Sequence, residues 1–285
     1  ILSKNKLLRD KNLFLLIGKI TSVDKRIKAG YYSFWGTMSP YEIFKKLVEG
    51  KIIESHITIV EGDTLLEIAS KLEENNIMTV ETFESLTRNK DFLKSLNIDA
   101  PSLEGYLYPE TYRIPKGSKP EAVLSLMVNM LRKNFDETLI DRMKNLNMSE
   151  NQILTLASII EKEAVIDEER PIIAAVFHNR LKRGMPLQAD PTAIYGVKSY
   201  KSKITRIDLQ NKTHYNTYVI KGLPPGPICS AGIKSIRAAL FPADVPYLYF
   251  VSNRDGTHYF SKTLDEHIKA IKRIADQRET LEKEG

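Results

Sequence analysis

The sequence predicts an α+β fold in which small mixed units precede a larger helical and β region with long loops. Several segments place apolar residues at helical spacing, short strand patterns occur near both ends of the chain, and two segments are rich in Gly, Pro and Tyr. The chain has 285 residues, of which 42% are hydrophobic and 27% charged. These values are typical of a globular protein with one large domain or two smaller ones.

The first hundred residues predict two small units, 1–54 and 55–100. In the first, Ser39 and Pro40 open a helix through Val48, since a cap followed by proline is a helix start signal. The first unit is therefore expected to be a small αβ module. The second starts with a strand at 56–60 and an acidic turn at 61–63, followed by a helix over 64–75 and a helix pair over 80–96.

The third predicted unit, 101–285, opens with a proline-rich loop at 101–120. Helices are expected over 121–135, 149–166 and 171–181, and Gly184 is placed to end the third of them. A loop-rich segment at 185–230 then leads to the last predicted elements, which are a helix near 230–240, strands at 247–251 and 258–260, and a terminal helix from Thr263. Long loops inside a compact domain are usually functional.

Charge and motif content restrict the class of function. The net charge of +6 favours acidic partners such as nucleic acid, an anionic lipid surface or a carboxylate-bearing polysaccharide. The basic residues are dispersed and no phosphate-binding glycine motif occurs, so no nucleic-acid partner is expected. The five histidines lack ligand spacing and Cys229 stands alone, which predicts neither a metal site, nor a cofactor, nor a disulfide.

The most informative segment is Ser149 to Ala164, which predicts a capped amphipathic helix with a carboxylate inside its apolar arc. Ser149 and Gln152 have the spacing of a capping box. At about 100° per residue, Glu161 falls among the apolar residues, whereas Glu163 lies at the edge of the arc. Because burial disfavours the ionised form of a carboxyl group, Glu161 is the candidate general acid.

Two other interpretations of Glu161 remain open from the helix pattern. Its carboxylate could be paired with an Arg or Lys in the core, or this face of the helix could be more exposed to solvent than the pattern suggests. Structural ion pairs also perturb buried carboxylates.

The loops carry side chains suited to sugars. Tyrosines can stack on pyranose faces, and carboxylate or amide groups can bind hydroxyl or acetamido groups. The candidates are Glu104, Gln188, Asp190 and Asn216, together with the tyrosines 106, 108, 112, 195, 215 and 218. The alternative is that the tyrosines are core residues with satisfied hydroxyl groups.

Four motifs in order resemble the endolytic murein transglycosylases, the MltG or YceG-like family. They are EGYLYPETY at 104–112, LASIIEKEA at 156–164, FHNRLKRGMPLQADPTAIYG at 177–196, and YNTY with GLPPGPI within 215–228. The resemblance covers roughly residues 56–280. It implies that 55–100 is a LysM-like subdomain, that 1–54 is a partial version of the preceding module, and that 101–285 is the catalytic domain.

The resemblance implies a lytic transglycosylase that cleaves the MurNAc-β-1,4-GlcNAc bond within nascent peptidoglycan and leaves 1,6-anhydro ends. It assigns the catalytic glutamate to Glu161, acting first as acid and then as base. Such an enzyme needs no second carboxylate, because the C6 hydroxyl of the substrate is the nucleophile. Substrate-binding roles are expected for Glu104, Gln188, Asp190, Tyr215 and Asn216, and no cofactor is expected.

Members of this family carry an N-terminal membrane helix, and this chain has no apolar run near the roughly 20 residues that span a bilayer. The resemblance therefore implies a fragment of a single-pass membrane protein whose catalytic domain is extracytoplasmic. The implied partners are peptidoglycan and the cell-wall synthesis machinery. Two alternatives stay open: a LysM-type binding protein without catalysis, and a hydrolytic muramidase that uses Glu161 with a second acid such as Asp190 or Glu104.

Overall fold

A computed structural model describes residues 1–200 and 202–284. The described part of the chain is mostly helical, with two antiparallel two-stranded sheets. The first helices are α1 (Lys11–Ile20), α2 (Pro40–Glu49), α3 (Leu65–Glu74), α4 (Val80–Thr87), α5 (Lys90–Ser95), α6 (Pro120–Lys133) and α7 (Glu137–Asn145). The others are α8 (Glu150–Glu163), α9 (Arg170–Lys182), α10 (Asp190–Ile194), α11 (Arg206–Gln210), α12 (Ile233–Leu240) and α13 (Leu264–Glu284). The strands are β1 (Glu54–Thr58), β2 (Thr111–Pro115), β3 (Tyr249–Ser252) and β4 (His258–Ser261).

The N-terminal residues form a small helical cluster of their own. The rings of Phe14 on α1 and Phe44 on α2 stack with centroids 4.0 Å apart. Ser39 caps α2 through a capping box, with Pro40 in the first turn as predicted. The expected αβ module differs in one respect, because residues 1–53 contain no strand. Tyr31 and Ile53 share a backbone hydrogen bond of 2.7 Å, but no ladder of bonds develops from it.

The first sheet joins β1 to β2, which lies within the segment predicted to be a loop. Glu54 pairs with Pro115 and Thr58 with Thr111 in antiparallel register. Strand β2 alternates, with Tyr112 and Ile114 buried between more exposed neighbours. The prolines, glycines and tyrosines around it obscured this short alternation in the sequence. The sheet connects the predicted unit 55–100 to the predicted unit 101–285.

Helix α8 lies at the centre of the main core and packs against α9 and α12. Every residue from Ile153 to Ile160 is buried, so the predicted apolar arc is confirmed and extends around the whole helix there. The buried hydroxyl group of Thr155 donates to the Asn151 carbonyl oxygen at 2.6 Å, and that of Ser158 donates to the Thr155 carbonyl oxygen at 2.7 Å. Hydrogen bonds of this kind remove the cost of burying a hydroxyl group.

The C-terminal part confirms the predicted strand, turn, strand and helix order. Strands β3 and β4 pair across the turn at 253–256, and α13 packs on both. The predicted α+β class is thus confirmed as a mostly helical variant. The sequence pattern does not predict the short helices α7, α10 and α11, the last two of which have five residues each. Within the described residues, no helix has the length and apolar character to cross a membrane.

Candidate active site

The last turn of α8 directs three consecutive charged residues into three different surroundings. The helix ends at Glu163, and Ala164 continues in extended conformation. Glu161 faces α9 and the start of α12, and the Lys162 ammonium lies 4.1 Å from the centre of the Tyr200 ring. Glu163 faces Asp190 at the start of α10. The two glutamates of the EKE triplet are therefore not equivalent, as the sequence pattern predicted.

The side chain of Glu161 is buried, and both of its carboxylate oxygens have partners. Nη1 of Arg170 donates to Oε1 at 3.0 Å, and the backbone N–H of Gly232 donates to Oε2 at 2.9 Å. The Glu161 side chain is 6% exposed and that of Arg170 is 9% exposed. The same guanidinium also donates to Asp167 and Ser235. The buried ion pair that the sequence analysis left open is thus present.

A second carboxylate, Glu61, approaches this ion pair from the acidic turn after β1. A Cβ atom built on Gly232 would lie 1.8 Å from Oε1 of Glu61, so the carboxylate rests against the Gly232 backbone. Burial raises the pKa of Glu61, and the nearby charge of Glu161 raises it further. The turn is attached by two backbone hydrogen bonds of 2.8 Å, from Gly62 to Ser230 and from Ser230 to Asp63.

Glu163 occupies a different environment, which favours a protonated carboxyl group. Burial raises its pKa to about 8, and the charge of Asp190 contributes to the increase. The backbone N–H of Asp190 donates to Glu163 and partly offsets the shift. The Tyr218 hydroxyl donates to Oδ1 of Asp190 at 2.5 Å. A carboxyl group with a pKa near 8 carries its proton at neutral pH, as a general acid must.

Gln188 lies on the loop that leads to Asp190 at the start of α10, and hydrogen bonds hold both its backbone and its side chain. Its backbone N–H donates to the Thr217 carbonyl oxygen at 3.1 Å, and its side-chain oxygen accepts from Arg180 at 3.1 Å. The φ angle of Gln188 is 51°, in the left-handed region. A non-glycine residue in the left-handed region is strained and keeps this conformation only where neighbouring contacts fix it. Such residues cluster at functional sites.

Glu104 belongs to a separate cluster beside a cavity of about 390 Å³. It is 2% exposed and accepts from the Tyr195 hydroxyl at 2.8 Å and from the Leu65 backbone N–H at 3.1 and 3.2 Å. Burial raises the pKa of Glu104 to about 7, against the effect of these hydrogen bonds. The ring of Tyr215 lies 4.6 Å from that of Tyr195, centre to centre.

Asn216 is fully buried and supports the loop. Its side-chain nitrogen donates to the carbonyl oxygens of Asp208, Leu209 and Asn211, and its side-chain oxygen accepts from the Tyr218 backbone. Asn216 thus fixes the backbone of the YNTY segment. Its buried amide has no free group to offer a ligand.

The structure therefore divides the sequence-predicted site residues into groups. The first group is Asp190, which faces Glu163, with Gln188 on the loop just before it. The second is Glu104 and Tyr215, which lie around Tyr195. The third is Glu161, which pairs with Arg170. Glu61 and Arg180 are not among the sequence-predicted site residues, and Tyr218 is predicted only as one of six tyrosines. No local pattern marks Glu61 and Arg180, because their partners are far away in sequence. Glu163 had a signal in the sequence, since it lies at the edge of the apolar arc of α8.

Cys229 has the character of a core residue. It is fully buried, its thiol donates to the Ser158 carbonyl oxygen at 3.4 Å, and burial raises its pKa well above the ordinary value. A reactive cysteine needs the opposite shift, toward the thiolate.

Comparison with known proteins identifies close relatives of the chain. It is 34% identical to an endolytic murein transglycosylase of Bacillus subtilis (strain 168), over 95% of this chain and 79% of that protein. It is 30% identical to an endolytic murein transglycosylase of Streptococcus pneumoniae (strain D39), over 86% of this chain and half the length of that protein. A 2.6 Å crystal structure of a yceG-like protein from Listeria monocytogenes matches with a TM-score of 0.69 and 37% identity, over 94% of this chain and 92% of that one.

The sequence model of the YceG-like family matches almost the whole chain. It matches residues 1–273, which include both sheets and every residue of the candidate site. The chain therefore belongs to the YceG-like family.

Proposed function

We propose that the chain is an endolytic lytic transglycosylase that cleaves the MurNAc-β-1,4-GlcNAc bond of peptidoglycan strands and leaves 1,6-anhydro-MurNAc ends. The names of its relatives support the activity. The single observation that carries the mechanism is the position of Glu163, which ends α8 and faces Asp190 at the start of α10, where burial raises its pKa to about 8.

The reaction needs one group that acts as acid and then as base. The protonated carboxyl group donates to the leaving glycosidic oxygen as the bond from that oxygen to C1 of the muramoyl residue breaks. The resulting carboxylate then takes the proton of the C6 hydroxyl group while O6 attacks C1. Atoms balance without water, and the only nucleophile is part of the substrate.

Glu163 fits this role better than Glu161, to which the sequence analysis assigned it. Both carboxylate oxygens of Glu161 already accept hydrogen bonds, one of them from the buried Arg170 guanidinium. Glu163 instead holds a proton near neutral pH. The assignment of Glu161 stays a prediction, and a comparison of the two single variants to glutamine decides between them.

Gln188, Asp190 and Tyr215 are proposed to bind the strand, with Tyr218 fixing Asp190 through its hydroxyl group. Glu104 and Asn216 are proposed to support strand binding indirectly. Glu104 accepts hydrogen bonds from the start of α3 and from Tyr195, and Asn216 fixes the backbone of the YNTY segment. The segment 55–100 is proposed to be a LysM-like glycan-binding module. The natural setting is proposed to be extracytoplasmic, attached to a membrane and next to cell-wall synthesis enzymes.

A hydrolytic muramidase is the second candidate, because the charge of Asp190 acts on Glu163 and a hydrolase uses two carboxylates. Mass spectrometry of digested glycan strands distinguishes the two reactions. Anhydro ends, lighter by one water, support the lytic route, and reducing ends support hydrolysis. Uncut strands that still bind the protein would indicate the third candidate, a LysM-type binding protein.

A further inference from the structure

Arg180 on α9 is a buried arginine near the candidate site, and in the described part of the chain its hydrogen bonds go to uncharged acceptors. Its Nε donates to the Leu248 carbonyl oxygen at 2.7 Å. Its Nη1 donates to the carbonyl oxygens of Pro186 and Leu187 at 3.2 and 3.0 Å, and to Oε1 of Gln188 at 3.1 Å. One guanidinium thus holds three consecutive residues of the loop that leads to Asp190.

The contact with Gln188 fixes the orientation of an amide group. A guanidinium has only donors, so the carbonyl oxygen of the amide must face it, and a flipped amide would set two donors against each other. The amide nitrogen therefore faces away from Arg180. Within residues 1–200 and 202–277, its two hydrogens have no protein acceptor, and Gln188 is exposed.

The backbone supports the same orientation. Gln188 has a φ angle of 51°, and its backbone N–H is bonded to Thr217. Two residues further on, the Asp190 backbone donates to Glu163. The exposed amide donors of Gln188 are thus fixed on the loop that contacts the proposed acid.

We infer that Arg180 is a positioning residue that sets Gln188 as a hydrogen-bond donor to the acetamido carbonyl oxygen of an N-acetylated sugar. This inference rests on the proposed function and adds the group that the site recognises. Acetamido carbonyl oxygens are acceptors only, and peptidoglycan sugars present them at regular intervals. A fixed donor selects them over the ammonium groups of de-N-acetylated strands, which are donors and would face the amide hydrogens.

The test uses isothermal titration calorimetry on a Glu163→Gln background, so that cleavage does not interfere with binding. The ligands are an N-acetylated peptidoglycan glycan fragment and the same fragment after chemical de-N-acetylation. In the additional variant Gln188→Glu, the carboxylate still pairs with Arg180 but offers no donor. We expect the dissociation constant of the N-acetylated fragment to rise about tenfold, which is the effect of one lost hydrogen bond, and the preference over the de-N-acetylated fragment to disappear.

Arg180→Lys tests the positioning role, since one ammonium group cannot reproduce the fixed planar set of donors with which the guanidinium binds both the loop carbonyl oxygens and the Gln188 amide. We expect it to lose most of the preference for the N-acetylated fragment while the cooperative thermal transition is kept. Gln277→Glu on the exposed face of α13 is the matched control and should bind both fragments as the background does.

Unchanged preference in Gln188→Glu would overturn the inference, and unchanged preference in folded Arg180→Lys would overturn the role of Arg180. Failure of the proposed function is a separate result, because it would appear as uncut strands with the unmodified protein.

Discussion

Nη1 of Arg170 lies 3.0 Å from Oε1 of Glu161, and each side chain is less than a tenth exposed. The pair joins the end of α8 to the start of α9, and the Gly232 N–H extends the contact to the start of α12. Since Glu163 is two residues beyond Glu161, this ion pair sets the direction in which α8 presents the proposed acid.

We predict that Arg170→Met destabilises the protein by about 3–5 kcal/mol, because the Glu161 carboxylate is left buried without its counter-charge. The measurement is the free energy of unfolding in urea. Lys144→Met removes one partner of an exposed ion pair with Asp141 and should change that free energy by less than about 1 kcal/mol. Equal effects of the two substitutions would contradict the structural role of the buried pair.

The activity should fall as the pH rises through about 8, because Glu163 must carry a proton to act as the acid. The charge of Asp190 contributes to that pKa, so Asp190→Asn should move the basic limb of the rate profile to lower pH. Cleavage rates measured from pH 5 to pH 10 give the position of the limb. A limb that stays in place in Asp190→Asn would show that this charge does not act on the acid.

Stability should also depend on pH through Glu163. Its pKa is 4.5 in an ordinary setting and about 8 in the folded protein. Between these values the folded state holds a proton that the unfolded chain releases, so the stabilising contribution is complete below about pH 4.5 and is lost as the pH rises toward 8. Glu163→Gln should remove this loss. The melting temperature of Glu163→Gln relative to the unmodified protein should therefore be higher at pH 9 than at pH 5.

Gly105, next to Glu104, packs where no side chain fits. A Cβ atom there would lie 2.4 Å from a Pro227 carbon, and the φ angle is 78°. Gly184 has a φ angle of 64° with no atom within 4 Å of such a Cβ. Both alanine variants carry the left-handed backbone strain of about 1–2 kcal/mol, and Gly105→Ala adds a clash of about 1–3 kcal/mol. The free energy of unfolding in denaturant is measured for both variants, and the difference between their losses gives the cost of the clash. Equal losses would show that Pro227 moves aside at no cost.

Local patterns in the sequence predicted most of the helices, because caps and periodic apolar residues act over a few positions. The Ser149 capping box and the cap followed by proline at Ser39 and Pro40 are examples. Strand β2 was missed because its partner lies more than fifty residues earlier, and a two-stranded ladder leaves a weak pattern. The predicted division into three units stays a prediction, with the β1–β2 pairing lying across one of its boundaries.

The sequence predicted a carboxylate in the apolar arc of α8, but it could not show which partners the neighbouring glutamates meet. Arg170 is nine residues from Glu161, Gly232 is seventy-one, and Asp190 is twenty-seven from Glu163. These contacts depend on tertiary packing. They pair Glu161 with a cation and set Glu163 beside Asp190, and the proposal of Glu163 as the acid depends on this difference.

The central claim is that Glu163 is the single acid and base of a lytic reaction. Its most direct test is mass spectrometry of glycan strands digested by the unmodified protein, by Glu163→Gln and by Glu161→Gln, with thermal unfolding to confirm that each variant is folded. We predict 1,6-anhydro ends from the unmodified protein, a loss of about 10²–10⁴-fold in their rate of formation with Glu163→Gln, and a smaller loss with folded Glu161→Gln. Anhydro ends formed at an undiminished rate by Glu163→Gln would contradict the account.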